Sequence, residues 1–506
     1  MFIKTIKQLT KICILVLIVL LQNWCDKTGD AEPEEVILAK VGDKTISVSE
    51  FIARTEYTIR PNYCKGNYNV EKKIILNSLI AEKLLAIEAG DTNRLVQSDR
   101  FNRIIEGRKQ QAMRQWLYHK EAVEKVELDS SEIKNLYQLA GRRYRVQFYN
   151  LFSDSLADVI GMMLKNDGEL FDSIYYQLSG LDSVPEKEVD YFVRENEKIH
   201  SALFSKQLKV GDIIGPLRLD EGNYIVMKIG GWIASHLLSE TEVSQRWNQV
   251  KEDLINQKAR RIYENYVADV MRGKRLDFHP ETFNKMVQII GEQYFKARES
   301  EKERFLNEAF DRDTEEFIPD YSEEIDSIID QPFFTVDGKT WTVADFGIEM
   351  QIHPLVFRDR RMSKKDFGNQ LRFAIADLIR DKYLAEVAYK KGYDKANLVQ
   401  RNVNMWRDAD VALYYKSQYL KKVNCEKEDP LLQIQNYLNP HIDTLQHKYS
   451  DVIEVNVEEF DKIKLTRVDM FATQSNVPYP VLVPAFPQLT TDHNLDYGKE
   501  MEQKIR

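Results

Sequence analysis

Val41-Gly42-Asp43-Lys44-Thr45-Ile46-Ser47-Val48-Ser49-Glu50-Phe51 and Val336-Asp337-Gly338-Lys339-Thr340-Trp341-Thr342-Val343-Ala344-Asp345-Phe346 write one pattern twice, roughly three hundred residues apart. Each holds a short apolar strand, a Gly/Asp turn and a hydroxyl residue placed to cap a helix. Ser47-x-x-Glu50 has the spacing of a capping box, in which the Ser oxygen accepts an orphan amide and the Glu returns to the cap amide. Downstream of each copy lies a second matching stretch. Leu79-Ile80-Ala81-Glu82-Lys83-Leu84-Leu85-Ala86 corresponds to Leu378-Ile379-Arg380-Asp381-Lys382-Tyr383-Leu384-Ala385. In the first of these, Ile74, Ile75, Leu79, Ile80, Lys83, Leu84 and Ile87 recur at helical intervals. So long a period marks a duplicated module with other material between the copies, not a solenoid.

The chain has 506 residues, too many for one core. Hydrophobic residues make up 43%, enough to pack several domains, and charged residues make up 30%, which favours long solvated helices. The formal charge is −9. A net acidic chain without a basic stripe argues against nucleic acid as a partner.

Residues 1–31 have the three-part form of an export signal. Lys4, Lys7 and Lys11 precede the apolar run Ile12 to Leu21, which is short for a bilayer span of about 20 residues. Cys25 stands where a lipoprotein carries its lipid, but Gln22-Asn23-Trp24 departs from the small residues that site prefers. Gly29-Asp30-Ala31 offers an ordinary cleavage site, and retention as an uncleaved anchor is a third outcome. Cleavage before Cys25 would take the charge to −12 by removing three lysines. Cys13, Cys64 and Cys425 show no CxxC spacing; unpaired thiols are expected, with a single Cys64–Cys425 bridge as the alternative.

The stretch from Arg142 to Trp232 differs in kind. Tyr144 to Phe152 reads as a strand, residues from about Asp158 to Leu178 as a helix, and Val189-Asp190-Tyr191-Phe192-Val193 as a second strand. A short helix at His200 to Leu208 leads through a turn to Ile214-Gly215-Pro216-Leu217 and to Tyr224 through Ile229. Glu240 to Arg272 is a long helix, and Glu292 to Asp330 is an acid-rich helical connector. The segment from Val452 to Ala472 alternates like strands, and Pro478, Pro480, Pro484 and Pro487 break the tail beyond it into an extended chain.

At Val41 to Phe51 and Leu79 to Ala86 the chain resembles the N-terminal domain of SurA-type periplasmic chaperones. From Arg142 to Trp232 it resembles a parvulin, the prolyl-isomerase domain those chaperones carry. The matching residues are Leu203-Phe204, Leu208 through Pro216, and Gly222 through Ile229. The fold class so implied is α+β: two mostly helical SurA-like modules with an inserted parvulin-like α/β domain. The expected division is a signal at 1–31, a first module at 32–141, the parvulin-like domain at 142–232, a helical acidic connector at 233–330, a second module at 331–422, and C-terminal strands with a Pro-rich tail at 423–506.

The resemblance implies a periplasmic or cell-envelope folding chaperone, membrane-anchored if the lipid or signal is retained. Its partners would be unfolded or extended exported polypeptides and envelope assembly machinery. Active parvulins place one histidine in the first strand and one in the closing strand; here those places carry Tyr149 (or Phe148) and Tyr224. Little or no isomerase catalysis is therefore expected. An active isomerase with an altered pocket, and a structural subunit of an assembly or secretion machine, are the alternatives. A peptide-contacting surface would draw on Tyr149, Leu151, Tyr191, Phe192, Phe204 and Tyr224. No cofactor and no metal is expected: the eight histidines are scattered, and His441, Asp443 and His447 have no recognisable ligand spacing. No catalytic residue stands out.

Overall fold

A computed structural model describes residues 35–65, 69–193, 196–220, 223–234, 239–307, 323–359, 362–465 and 479–501. The export signal with Cys13 and Cys25, as well as Gly222, His236 and Pro478, lies outside them. The chain is mixed α+β and predominantly helical. In order, its elements begin with β1 (Ile37–Val41), β2 (Lys44–Ser47), α1 (Val48–Glu56), α2 (Asn69–Ala89) and α3 (Asp99–Glu121). There follow α4 (Ser130–Ala140), β3 (Arg142–Leu151), α5 (Asp154–Asn166), α6 (Leu170–Ser179), β4 (Glu186–Asp190) and α7 (Glu197–Phe204). Next come β5 (Ile213–Asp220), β6 (Asn223–Ala234), α8 (Glu240–Val270), β7 (Leu276–Phe278), α9 (Pro280–Asn307) and α10 (Glu323–Asp326). The second copy comprises β8 (Pro332–Val336), β9 (Lys339–Thr342), α11 (Val343–Ile352), α12 (Phe367–Lys390) and α13 (Asn397–Lys422). The chain closes with α14 (Pro430–Gln433), a π-helical turn, α15 (Asn439–Lys448), β10 (Ile453–Val455), α16 (Val457–Lys462) and β11 (Lys499–Glu500). Two compact units result: the described residues of Met1–Leu117 with Val267–Arg506, and Tyr118–Tyr266. No helix among the described residues is long and apolar enough to cross a membrane.

In the larger unit the two copies repeat element for element. Their hairpins use different two-residue turns. Gly42 alone takes positive φ in the first, as Gly-Asp in a type II′ turn requires. Asp337 and Gly338 both take it in the second, as Asp-Gly in a type I′ turn requires. Each hairpin gains a third antiparallel strand from outside its copy. β10 pairs with β1, placing Ala39 opposite Val455, and β7 pairs with β8, placing Leu276 opposite Val336.

The third helices are exchanged between copies. From α3, Ala112, Met113 and Trp116 pack on Ala385, Ala388 and Val399 of the second copy. From α13, Ala412 and Leu420 join the core of the first, and Val411 packs with Ala86 and Phe101. Gly107 permits this crossing: a Cβ there would lie 2.1 Å from the Ile352 carbonyl oxygen. Helix α2, covered on every side, is buried from Ile74 through Ala86. Cys64 and Cys425 are both buried free thiols, as expected.

The smaller unit extends beyond residues 142–232, taking in α4 and most of α8. Its antiparallel sheet has the order β4-β3-β6-β5. Helices α5 and α6 cover one face, and α7 closes over part of the other. Two departures from the sequence reading have local causes. The single helix expected at Asp158 to Leu178 is two, separated at Asp167-Gly168, with Ser153 capping the first and Gly180 ending the second in the left-handed region. Of the strands expected from Val452 to Ala472, only Ile453–Val455 forms among the described residues, which end here at Leu465; Asn456 accepts the Glu459 amide and starts α16. Part of the expected connector also belongs to a core: Phe283, Met286 and Ile290 of α9 pack into the second copy.

Candidate functional site

The smaller unit's sheet sorts its side chains by the two-residue repeat of strands. In β3, Tyr144, Val146 and Phe148 project to one face, and Tyr149 and Leu151 to the other. Phe148 pairs with Met227 and Tyr149 with Val226, so β6 is divided the same way. On the first face lies a cavity of about 410 Å³. Its floor is Val146, Phe148, Ile225 and Met227, and Val189, Val193, Ile199 and His200 form its walls.

The rim is polar: the charged Arg143, Lys187, Glu188 and Asp190, with the neutral Asn196. Arg143 stands 3.7 Å from Glu188 and 3.5 Å from Asp190, and Arg145 stands 3.5 Å from Glu186. Half-exposed pairs at these distances contribute little to stability and can exchange partners readily. His200 is buried, with its Nε2 2.8 Å from the Tyr191 carbonyl oxygen. A carbonyl only accepts, so Nε2 carries a proton. The imidazole also packs against the Tyr191 and Phe204 rings, at 4.7 and 5.0 Å.

None of the six expected contact residues lines this cavity. Tyr149, Leu151 and Tyr224 lie on the opposite face, beneath or beside α5 and α6. The Tyr149 ring packs on Phe171 at 4.9 Å and Tyr175 at 5.7 Å, and burial pushes its hydroxyl up to about 12, with Asp172 adding to the effect. Tyr224 donates to Asp154 at 2.9 Å, which raises its pKa. Tyr191 and Phe204 are core residues behind His200, and Phe192 is a surface ring packed edge-on against Tyr191. Conversely, Ile225, Met227 and His200 line the cavity without any mark in the sequence to set them apart. Both faces of the sheet are apolar, so alternation alone does not tell which one helices will roof.

A second concentration of charge lies in the larger unit. Arg54 and Glu82 form a fully buried bidentate pair at 2.9 and 2.7 Å. Lys83 reaches Glu50 and Asp408, each at 3.1 Å, and Asp408 also accepts from Lys44 at 2.6 Å. Burial opposes the Lys83 charge, but Glu50 and Asp408 outweigh it and the ammonium pKa is raised. These groups satisfy one another across the copies, as buried charges must. No group of His, Cys, Asp and Glu among the described residues is arranged to hold a metal. Instead, His441 is stacked on Tyr419, and His447 pairs with Asp443 at 3.4 Å on an exposed helix face.

Comparison with protein-family models and with curated proteins finds no match to this chain.

Proposed function

We propose that this chain is a folding chaperone of the cell envelope, related to the SurA and parvulin types, which holds extended segments of non-native exported proteins. One observation carries the reading: an open cavity with an apolar floor and a mixed-charge rim. Its volume lies within the range of about 300–1,000 Å³ typical of ligand sites. An apolar side chain of a client entering it would contribute roughly 1.5–3 kcal/mol, enough for reversible capture and too little for permanent binding. The rim can pair with a client's charges and backbone without selecting a sequence. The stretch behind the parvulin resemblance also supports the reading, since it forms α7, a turn, β5 and β6, one of the two inner strands of the sheet.

A full-length chain added in equimolar amount to a diluted, chemically denatured substrate is expected to delay its light scattering. Phe148→Asp should abolish the delay and Tyr149→Phe should leave it intact. Absence of any delay with the unaltered chain would contradict the reading.

The isomerase alternative draws on His200, a histidine at the cavity wall. Isomerisation needs no nucleophile, only preferential binding of the twisted amide. Turnover of an Ala-Pro peptide in a protease-coupled assay, lost in His200→Ala, would favour it over simple holding.

A further inference from the structure

From Val483 to Thr490 the C-terminal segment alternates in threes: Val483-Pro484, Phe486-Pro487 and Leu489-Thr490 are buried, and Ala485 and Gln488 are exposed. Three residues per turn is the repeat of polyproline II, and Pro480, Pro484 and Pro487 favour it. Such a chain has no internal ladder; apart from the Pro487 carbonyl, which accepts from the Leu489 amide at 3.0 Å, its carbonyls need donors from elsewhere. Three helices supply them. Gln115 of α3 donates to Pro480 at 2.7 Å, Arg54 of α1 to Ala485 at 2.9 Å and Lys416 of α13 to Gln488 at 2.8 Å. Leu482 and Val483 pack with Trp406, Met405 and Tyr57.

The receiving groups are held by partners other than the segment. Arg54 is fixed by its bidentate bond to Glu82, and Trp406 lies under the Arg108 guanidinium at 4.1 Å. Donors aimed at carbonyls read backbone, not side chains, and prolines leave no amide unsatisfied. Aromatic-walled grooves with these properties are a recurring way of binding proline-rich chains.

We propose that this groove of the larger unit is a binding site for proline-rich extended polypeptide, held in the present structure by the chain's own residues 480–489. Tethering gives the resident segment a high effective concentration, so a foreign segment enters only in exchange for it. The site lies in a different unit from the cavity and does not rest on the function proposed for that cavity.

The test uses full-length chains and a fluorescein-labelled peptide with the sequence of residues 479–491. Val483→Asp with Phe486→Ala and Leu489→Ala removes the segment's three buried apolar anchors, in the Trp406 cluster and in the first copy's core, and is expected to loosen it. Fluorescence anisotropy should show the peptide binding this variant at least about tenfold more tightly than the unaltered chain. Replacing the peptide's prolines by alanine should weaken binding several-fold, and Phe148→Asp should change nothing. Equal or absent binding to both chains, with the triple variant melting like the unaltered protein, overturns the proposal. If that variant loses cooperative melting, hydrogen exchange on the unaltered chain decides. Amides of Leu482, Val483, Ala485 and Phe486 exchanging far faster than those of α2 support an exchangeable segment, and equal protection overturns it.

Discussion

The two copies in the larger unit share a template and differ in their wiring. In the second, Asp345 turns back to the Thr342 amide at 3.0 Å and completes the capping box. Glu50, one methylene longer at the matching place, reaches across to Lys83 instead. Arg54 of the first copy corresponds to Glu349 of the second, and this reversal of charge redirects everything nearby. Lys382, the counterpart of Lys83, takes Glu349 at 2.9 Å. Asp381, the counterpart of Glu82, is left with the partly exposed Arg380 at 2.7 Å and with Arg114 at 3.6 Å. Arg54 has enough donors to hold Glu82 and still reach the Ala485 carbonyl. A carboxylate at that place has no proton to offer a carbonyl. This position thus gives the first copy one of the three donors that hold the extended segment, and leaves its counterpart in the second copy without one.

The two copies should differ most in stability at these ion pairs. Glu82→Ala leaves Arg54 charged and buried, and should cost about 3–5 kcal/mol in denaturant unfolding. Asp381→Ala should cost less, about 1–2 kcal/mol, because Arg380 is partly in water and keeps Asp377 at 2.8 Å, so that only the buried Arg114 loses a partner, one at 3.6 Å. Equal losses would erase the distinction between the copies.

A smaller effect concerns Asp410 on α13, whose carboxyl burial pushes up to about 6, with Arg108 opposing and Glu82 adding to the shift. The folded state then holds this proton more tightly than the unfolded chain. Its contribution is present below about pH 4 and lost as pH rises through about 6. Asp410→Asn should therefore stabilise the protein at pH 7 by about 1–3 kcal/mol, with the gain shrinking toward pH 4. A gain independent of pH would contradict this account.

The caps give the smallest effect. Ser47→Ala and Thr342→Ala should each cost about 1 kcal/mol, with the second larger because its box is reciprocal. The reverse order would show that Glu50 caps after all.

Much of this architecture is legible in the sequence. The hairpin, cap and second helix of each copy announce themselves because local chemistry dictates them: primed turns need Gly or Asp, and caps need a short oxygen-bearing side chain. The hidden part is non-local. Nothing in Ile453–Val455 or Leu276–Phe278 names the hairpin each extends. The exchange of α3 and α13 leaves only Gly107 as a trace, and an isolated glycine in a helical pattern is ambiguous. At the candidate site, three of the six residues the sequence points to, Tyr149, Leu151 and Tyr224, lie on the face away from this cavity, and Tyr191 and Phe204 lie in the core behind it. Phe148 and Tyr149 are neighbours in sequence and lie on opposite faces of the sheet.

That one-residue difference supplies the most direct test. Benzoylphenylalanine placed at position 148 and, separately, at 149 should be irradiated in the presence of a denatured client. Crosslinks at 148 and few at 149 are predicted. Crosslinking at 149 alone, or at neither position while aggregation is still delayed, would contradict the claim that the sheet-face cavity holds clients.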